Sequence, residues 1–510
     1  MQLGDILLAR GLVTQADIDR ALERQRTEGG RLGDNLLAIE AISHADLNKA
    51  LNEAPAAPNS VAETGISSGE LINLLLKSLA GGGLETPSQI ANALKLPNRV
   101  VNELLKECTD RKLVDILGST GDSSMELRHV LSENGKRRAS EAMEICQYVG
   151  PAPVTLEEYH TRIERQAITN ERIDRTQVHE AFANLVINEE FVRRVGPAIN
   201  SGRCLLLYGP PGNGKTSVAE KVGRIFNDVI YIPYCIEVEG QIIKVFDPSI
   251  HTAVGGSVSA TKTVSVRREE FDKRWVACQR PIIVTGGELT LEMLDLKYNP
   301  HARFYEAPLH VKAMGGTFII DDFGRQLVSP EEVLNRWIVP LQNRIDYLKL
   351  HTGKSFAVPF DELVIFSTNM EPDDLMDPAF LRRIPYKLET TAPSKDEFRQ
   401  IFEGVAGSEG LSLPPEIFEF VVDELTVRNS FPLACYQPRF IVDQVIATCK
   451  FEGVPPAFSQ EMVSEALSNL YTKSNPGRAA AQEDAEQGPT AAMGGDPASL
   501  QEAAGSAFAA

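Results

Sequence analysis

Gly209-Pro210-Pro211-Gly212-Asn213-Gly214-Lys215-Thr216-Ser217 follows directly on the apolar run Cys204–Tyr208. Glycines let successive backbone N–H groups curl around phosphate oxygens, a lysine placed after them reaches the β- and γ-phosphates, and a threonine hydroxyl can sit on Mg²⁺. A strand before the loop and a helix from Thr216 onward are the context this chemistry requires. A second apolar run, Thr317-Phe318-Ile319-Ile320, ends in Asp321 and Asp322. Carboxylates at the C-terminal end of such a strand are placed where ligands sit in open α/β sheets. Asp321 is suited to hold Mg²⁺ and Asp322 to orient or deprotonate an attacking water. A third run, Leu363–Thr368, ends in Asn369, a polar group suited to the γ-phosphate or the lytic water. Arg382 and Arg383 follow on a short helix, and Tyr436-Gln437-Pro438-Arg439 opens another, with Arg439 directed towards the nucleotide. The chemistry these residues can share is hydrolysis of ATP with Mg²⁺.

The elements that must position them lie in a long, composite chain. It has 510 residues with 51 Lys+Arg against 70 Asp+Glu, a net charge of −19. That length implies several domains, and 43% hydrophobic content supports real cores. The acidic balance excludes a protein that coats nucleic acid non-specifically. Seven scattered cysteines without a CxxC pair argue against a zinc ribbon or a disulfide framework. No signal peptide and no apolar run of membrane-spanning length is found, so a bacterial cytoplasmic location is expected, without a membrane span.

Residues 1–53 carry an internal repeat: Leu3-Gly4-Asp5 through Leu8 recurs as Leu32-Gly33-Asp34 through Leu37, an offset of 29 residues, with Thr14 and Ser43 as matching N-caps. Residues 54–66, rich in Ala and Pro, read as a linker. Residues 67–148 read as a winged-helix-like domain: a capping box at Thr86-Pro87-Ser88-Gln89, a second helix with Val100, Val101, Leu104 and Leu105 inward, and a hairpin from Val114–Leu117 to Met125–Leu127. Arg99, Asn102 and Lys106 face outward on that second helix as DNA would require, yet Glu103 and Glu107 interleave with them, which disfavours DNA. An α/β core over 149–392, a helical lid over 393–473 and a disordered tail over 474–510 complete the division. Arg267, Arg268, Lys273, Arg274 and Arg280 cluster around Trp275 with Glu269, Glu270 and Asp272 between them, which reads as a salt-bridged helix face rather than a nucleic-acid patch. Phe304-Tyr305 reads as core or, less simply, as the lining of a central pore.

Over residues of about 165–473 the order of parts resembles the AAA+ ATPase family. The resemblance implies a parallel-sheet core with a helical lid, with Lys215 and Thr216 as Walker A, Asp321 and Asp322 as Walker B, Asn369 as sensor 1 and Arg439 as sensor 2. Arg382 and Arg383 match the arginine-finger segment, one of them acting across a subunit boundary in a homohexameric ring. Asp322 stands where the family usually has Glu. A hairpin from Ile345–Leu350 to Ser355–Pro359 ahead of the sensor 1 strand resembles that of the MoxR and magnesium-chelatase groups, and a second hairpin turns at Glu239-Gly240. Residues 2–54 resemble the cyclic-di-GMP-binding MshEN domain of type II secretion and type IV pilus ATPases. Arg31 keeps the motif's first position, whereas Gln2, Glu40 and Ala54 depart from it. Together these imply a ring-forming ATPase that remodels or assembles an unidentified protein substrate. The alternatives are a DNA-binding transcriptional regulator with ATP-controlled assembly, and a signalling module reading cyclic di-GMP.

Overall fold

The computed structural model describes residues 7–8, 11–28, 32–43, 46–47, 54–119, 127–254 and 271–470. Arg31, Arg267, Arg268, Glu269, Glu270, Met125, Glu126 and the tail from residue 474 lie outside the described residues. Two compact units result: Met1–Ile401 with Ala434–Tyr436, and Phe402–Leu433 with Gln437–Ala510.

The centre of the first unit is a five-stranded parallel sheet. Its strands are β1 (Leu205–Tyr208), β2 (Ile282–Thr285), β3 (Thr317–Ile320), β4 (Leu363–Thr368) and β5 (Tyr386–Glu389), in the order β5-β1-β4-β3-β2. The inner strands are continuous apolar runs because both faces are covered. On one face Leu205, Leu207, Ile319 and Ile365 pack with Ala219 and Val222 of helix α1 (Lys215–Gly223). On the other, Leu206, Phe318, Val364 and Phe366 meet Leu334 and Trp337 of the helix Pro330–Asn343. The alternation follows the two-residue period of a strand, and the parallel pairing puts every strand's C-terminal end on one edge. That helix is fixed at its start by a capping box between Ser329 and Glu332.

A second five-stranded sheet surrounds the hairpin Cys235–Val238/Gln241–Lys244, which turns at Glu239 and Gly240 with φ of 53° and 75°. The hairpin Ile345–Lys349/Ser355–Pro359 pairs Ile345 with Pro359 and packs Leu348, Leu350 and Val358 into the core of this sheet. Tyr305 is 1% exposed in the same core, so it lines no pore, and Phe304 lies edge-on to Tyr148 at 5.7 Å.

Ahead of these sheets come helices Ser68–Gly82, Pro87–Leu94 and Asn98–Asp110, the antiparallel pair Val114–Ser119/Leu127–Leu131 and helix Glu133–Ile145. Thr86 and Gln89 form a capping box at the second helix, and Val100, Val101, Leu104 and Leu105 point inward from the third. Its outward face is partly occupied. Arg99 donates to the Pro58 carbonyl at 3.2 Å, Glu103 accepts from the Val61 amide and Glu107 from the Ser68 hydroxyl. Asn102, Lys106, Leu105, Ile116 and Leu127 line a groove of about 470 Å³ between this helix and the hairpin.

Two expectations fail here for one reason. Residues 54–66 are not a free linker: Val61 and Ile66 are buried in the helical core, and the Pro55 carbonyl accepts from the Asp272 amide. Among the described residues around Trp275 there is no helix face, because Trp275–Gln279 is a strand paired with Val229–Pro233. Arg274, with its side chain 1% exposed, donates to the Thr64 and Pro153 carbonyls and pairs with Asp272 and Glu158. Arg280 is equally buried and pairs with Asp228. A buried guanidinium needs all its donors met, and here backbone carbonyls from distant segments meet them.

The N-terminal residues repeat in structure as well as in sequence. Leu12 donates to the Leu7 carbonyl as Ala41 does to that of Leu36, and Gly11 (φ 67°) and Glu40 (φ 54°) are matched left-handed residues. Thr14 accepts from the Asp17 amide and Ser43 from that of Asp46. In the second unit, helices Pro415–Asp423, Gln437–Glu452 and Gln460–Leu470 enclose Phe418, Val421, Val445 and Val463. No helix among the described residues is long and apolar enough to cross a membrane.

Candidate functional site

The loop from Gly209 to Gly214 joins β1 to α1 at the C-terminal edge of the sheet. Its glycines are required by position. Gly209 has φ of 134°, and a Cβ there would meet the Thr390 carbonyl oxygen at 2.4 Å. At Gly212, φ is 80° and a Cβ would meet the Tyr436 ring at 2.3 Å. Tyr436 also donates its amide to the Gly212 carbonyl at 3.0 Å, and the Asn213 side chain accepts from the Cys435 amide. Pro210, Pro211 and Ser217 are exposed, and Gly214 caps α1 at φ of 77°.

Lys215 is 7% exposed, and its Nζ donates to the carbonyls of Gly209 and Pro210, each at 2.9 Å. Burial pushes its pKa down, and the charges of Asp322 and Asp321 oppose that shift. A strongly held ammonium thus sits folded into the loop that its charge would serve. The Thr216 hydroxyl donates to Asp321 Oδ2 at 2.7 Å, and Asn369 Nδ2 donates to Asp322 Oδ1 at 3.1 Å. The two adjacent aspartates therefore point to different partners. One faces the start of α1, the other the end of β4. The sheet registers produce this: β3 lies between β2 and β4, and the Asp321 amide donates to the Thr285 carbonyl of β2.

Hard oxygen donors from Thr216 and Asp321, beside a left-handed glycine loop and a lysine, suit Mg²⁺ bound with a polyphosphate. Among the described residues no group of three or more His, Cys, Asp or Glu forms a metal cluster of its own.

Two side chains not singled out in the sequence hold the acidic turn. The Thr368 hydroxyl donates to the Phe323 carbonyl at 2.7 Å, and the Phe323 amide donates to the Ser367 carbonyl. Gln326 bridges the turn from its other side. Thr368 precedes Asn369 and Gln326 follows the acids by four residues, but only this adjacency signals them in the sequence.

The arginines are placed less uniformly. Arg382 follows the short helix Pro378–Leu381, is exposed, and pairs with no acid among the described residues. Arg383 lies over the Phe380 ring, 5.6 Å from its centroid. Arg439, in the second unit, pairs with Glu409 and Asp443 at 3.0 Å each, so carboxylates of its own unit hold the guanidinium expected to face phosphate.

Residues 394–469 match a domain of unknown function, DUF8689. No curated protein matches the chain. Among solved structures, the Thermotoga maritima RuvB Holliday junction branch migration motor is 14% identical, covering 56% of this chain and 70% of that one at a TM-score of 0.32. Domain III of the Thermotoga maritima replication initiation protein DnaA is 13% identical, covering 57% and 96% at a TM-score of 0.32. Superposition at that level settles nothing by itself. The class rests on the chain's own features: a parallel α/β core flanked by helices, with a glycine loop between its first strand and helix, is a fold of the P-loop NTPase type.

Proposed function

We propose that this chain is an AAA+ ATPase that assembles into a ring, a homohexamer, and couples ATP hydrolysis to remodelling or assembly of a protein partner. The observation that carries the reading is the division of labour between Asp321, paired with Thr216, and Asp322, paired with Asn369. On ATP binding, Lys215 leaves the carbonyls of Gly209 and Pro210 for the β- and γ-phosphates, while the amides of 212–216 face the phosphate oxygens. Thr216 and Asp321 hold Mg²⁺, which when bound neutralises phosphate charge. Asp322 accepts the proton of the attacking water, and Asn369 fixes that carboxylate and the water's approach. Arg382, exposed and uncommitted, is better placed than Arg383 to reach a neighbouring subunit's phosphates. Arg439 acts only after release from Glu409 and Asp443.

The two hairpins support the MoxR and magnesium-chelatase-like branch. The N-terminal repeat supports an MshEN-like docking or cyclic-di-GMP module. Calorimetry on the full chain and on Arg31→Ala tests that ligand: no heat at about 100 µM, a ceiling of about 5–6 kcal/mol of binding, leaves docking alone. The partly apolar groove beside Asn102 and Lys106, and the engagement of Arg99 by Pro58, support a winged helix that meets protein rather than DNA.

Asp322→Asn protein, incubated with ATP, tests the function. It should assemble by sedimentation and retain a protein that mass spectrometry identifies, only when ATP is present. Retained material that nuclease removes, with an affinity falling steeply with salt, would establish the DNA-binding regulator instead.

A further inference from the structure

The turn that carries Asp322 is strained. Asp322 has φ of 48° and Gly324 φ of 106° within three residues. A non-glycine residue in that region is strained and persists only where its surroundings hold it. From the β4 side, Ser367 and Thr368 hold Phe323. From the other side the Gln326 side chain holds the residues on either side of Phe323. Gln326 Nε2 donates to the Asp321 carbonyl at 2.9 Å and the Asp322 carbonyl at 3.2 Å, while its Oε1 accepts from the Gly324 amide at 2.8 Å. The Arg325 amide adds a bond to the Asp322 carbonyl at 3.0 Å.

We infer that Gln326 is a positioning residue for the reaction: its amide clamps the turn so that Asp322 presents its carboxylate to the attacking water while Asp321 stays turned to Thr216. The inference rests on the assignment of Asp322 as the water's proton acceptor. The chemistry demands an amide. One end must donate to two carbonyls while the other accepts an N–H, and no other uncharged side chain of this length does both. A glutamate of the same shape would turn a carboxylate oxygen towards two carbonyl oxygens and open the clamp, and protonation would restore one donor. The hydrogen bonds of the Gln326 side chain all go to the acidic turn and not to the glycine loop, so it should act on the chemical step and not on nucleotide binding.

The test is steady-state hydrolysis and ATP-analogue affinity for the full-length wild type, Gln326→Ala, Gln326→Glu, Asp322→Asn and the Asp322→Asn/Gln326→Ala double variant. A misplacement of about 1 Å costs on the order of 100-fold in rate. Gln326→Ala should therefore lower kcat by about 10- to 100-fold with KM and analogue affinity within about threefold. Gln326→Glu should be slow at alkaline pH and recover relative to wild type as pH falls. The double variant should be no slower than Asp322→Asn, since a clamp acting through Asp322 has nothing left to position. If Asp322→Asn is slow while both Gln326 variants match wild type, the clamp is overturned and the site reading stands. Additive losses in the double variant, or lost nucleotide affinity in both Gln326 variants, would make Gln326 a general support of the fold and overturn it. An Asp322→Asn protein at wild-type rate would overturn the site reading and the clamp together.

Discussion

Replacing Lys215 by Met removes the ammonium while keeping most of the side-chain volume, so the change tests charge and not packing. In the structure that ammonium is nearly buried and spends its donors on two backbone carbonyls 2.9 Å away. A unit charge placed about 4 Å from a phosphate charge is worth about 4 kcal/mol at an effective dielectric constant of 20. Binding must first break the two carbonyl bonds, each worth about 1.5–3 kcal/mol with a charged donor but largely replaced by water once released. The net contribution is therefore about 2–4 kcal/mol, or about 30- to 1,000-fold in affinity. Fluorescent ATP-analogue titration of Lys215→Met with Mg²⁺ reads this directly, and thermal unfolding without nucleotide serves as the control. The melting temperature should change little, because burial already disfavours the charged lysine and Met relieves that cost. An affinity within about threefold of wild type would mean that no phosphate charge lies within reach of Lys215.

Arg382→Ala should keep ATP binding and lose most turnover, by about 10³-fold or more, whereas Arg383→Ala should lose less because its guanidinium already rests on Phe380. Mixing Arg382→Ala with Lys215→Met should restore part of the activity if the finger acts across subunits; equal loss in both arginine variants would contradict the assignment. Asp346 is paired bidentately with Arg336 and lies 2.8 Å from His310, and the bonds of those two groups outweigh burial to hold its carboxyl below the usual range. A depressed carboxylate contributes stability that is complete above its ordinary value of about 4 and is lost as pH falls towards its folded value. The stability of wild type to denaturation should therefore fall below about pH 4, and Asp346→Asn should flatten that dependence while costing about 3–5 kcal/mol at neutral pH. An unchanged acid limb in Asp346→Asn would place the titrating group elsewhere.

Legibility in the sequence followed the range of the interactions. The glycine loop was readable because its glycines, Lys215 and Thr216 lie within a few residues of one another. The strands were readable because a sheet covered on both faces leaves unbroken apolar runs such as Leu363-Val364-Ile365-Phe366. The segment 54–66 misled because its small residues suggest no core, yet its backbone carbonyls satisfy Arg274 and Arg99. Carbonyls have no letter in the sequence. The strand Trp275–Gln279 was obscured likewise: the charges on either side of it suggested an exposed helix, whereas Arg274 and Arg280 are buried by partners up to about two hundred residues away. Arg439 carried its position but not its partner, since Glu409 meets it only through the fold of its own unit. Gln326 and Thr368 act on backbone groups, and nothing in their residue type marks that use.

The central claim is that Asp321 and Asp322 divide the work of binding and cleavage. Asp322→Asn measures it most directly, in parallel assays of ATP affinity and of hydrolysis with Mg²⁺. An amide in place of that carboxylate leaves Thr216, Asp321 and the glycine loop untouched but cannot take the water's proton. The affinity should stay within about threefold of wild type and kcat should fall by about 10²- to 10⁴-fold, the range of general base catalysis. Wild-type turnover in this variant would contradict it, because the catalytic base would then have to be a different residue.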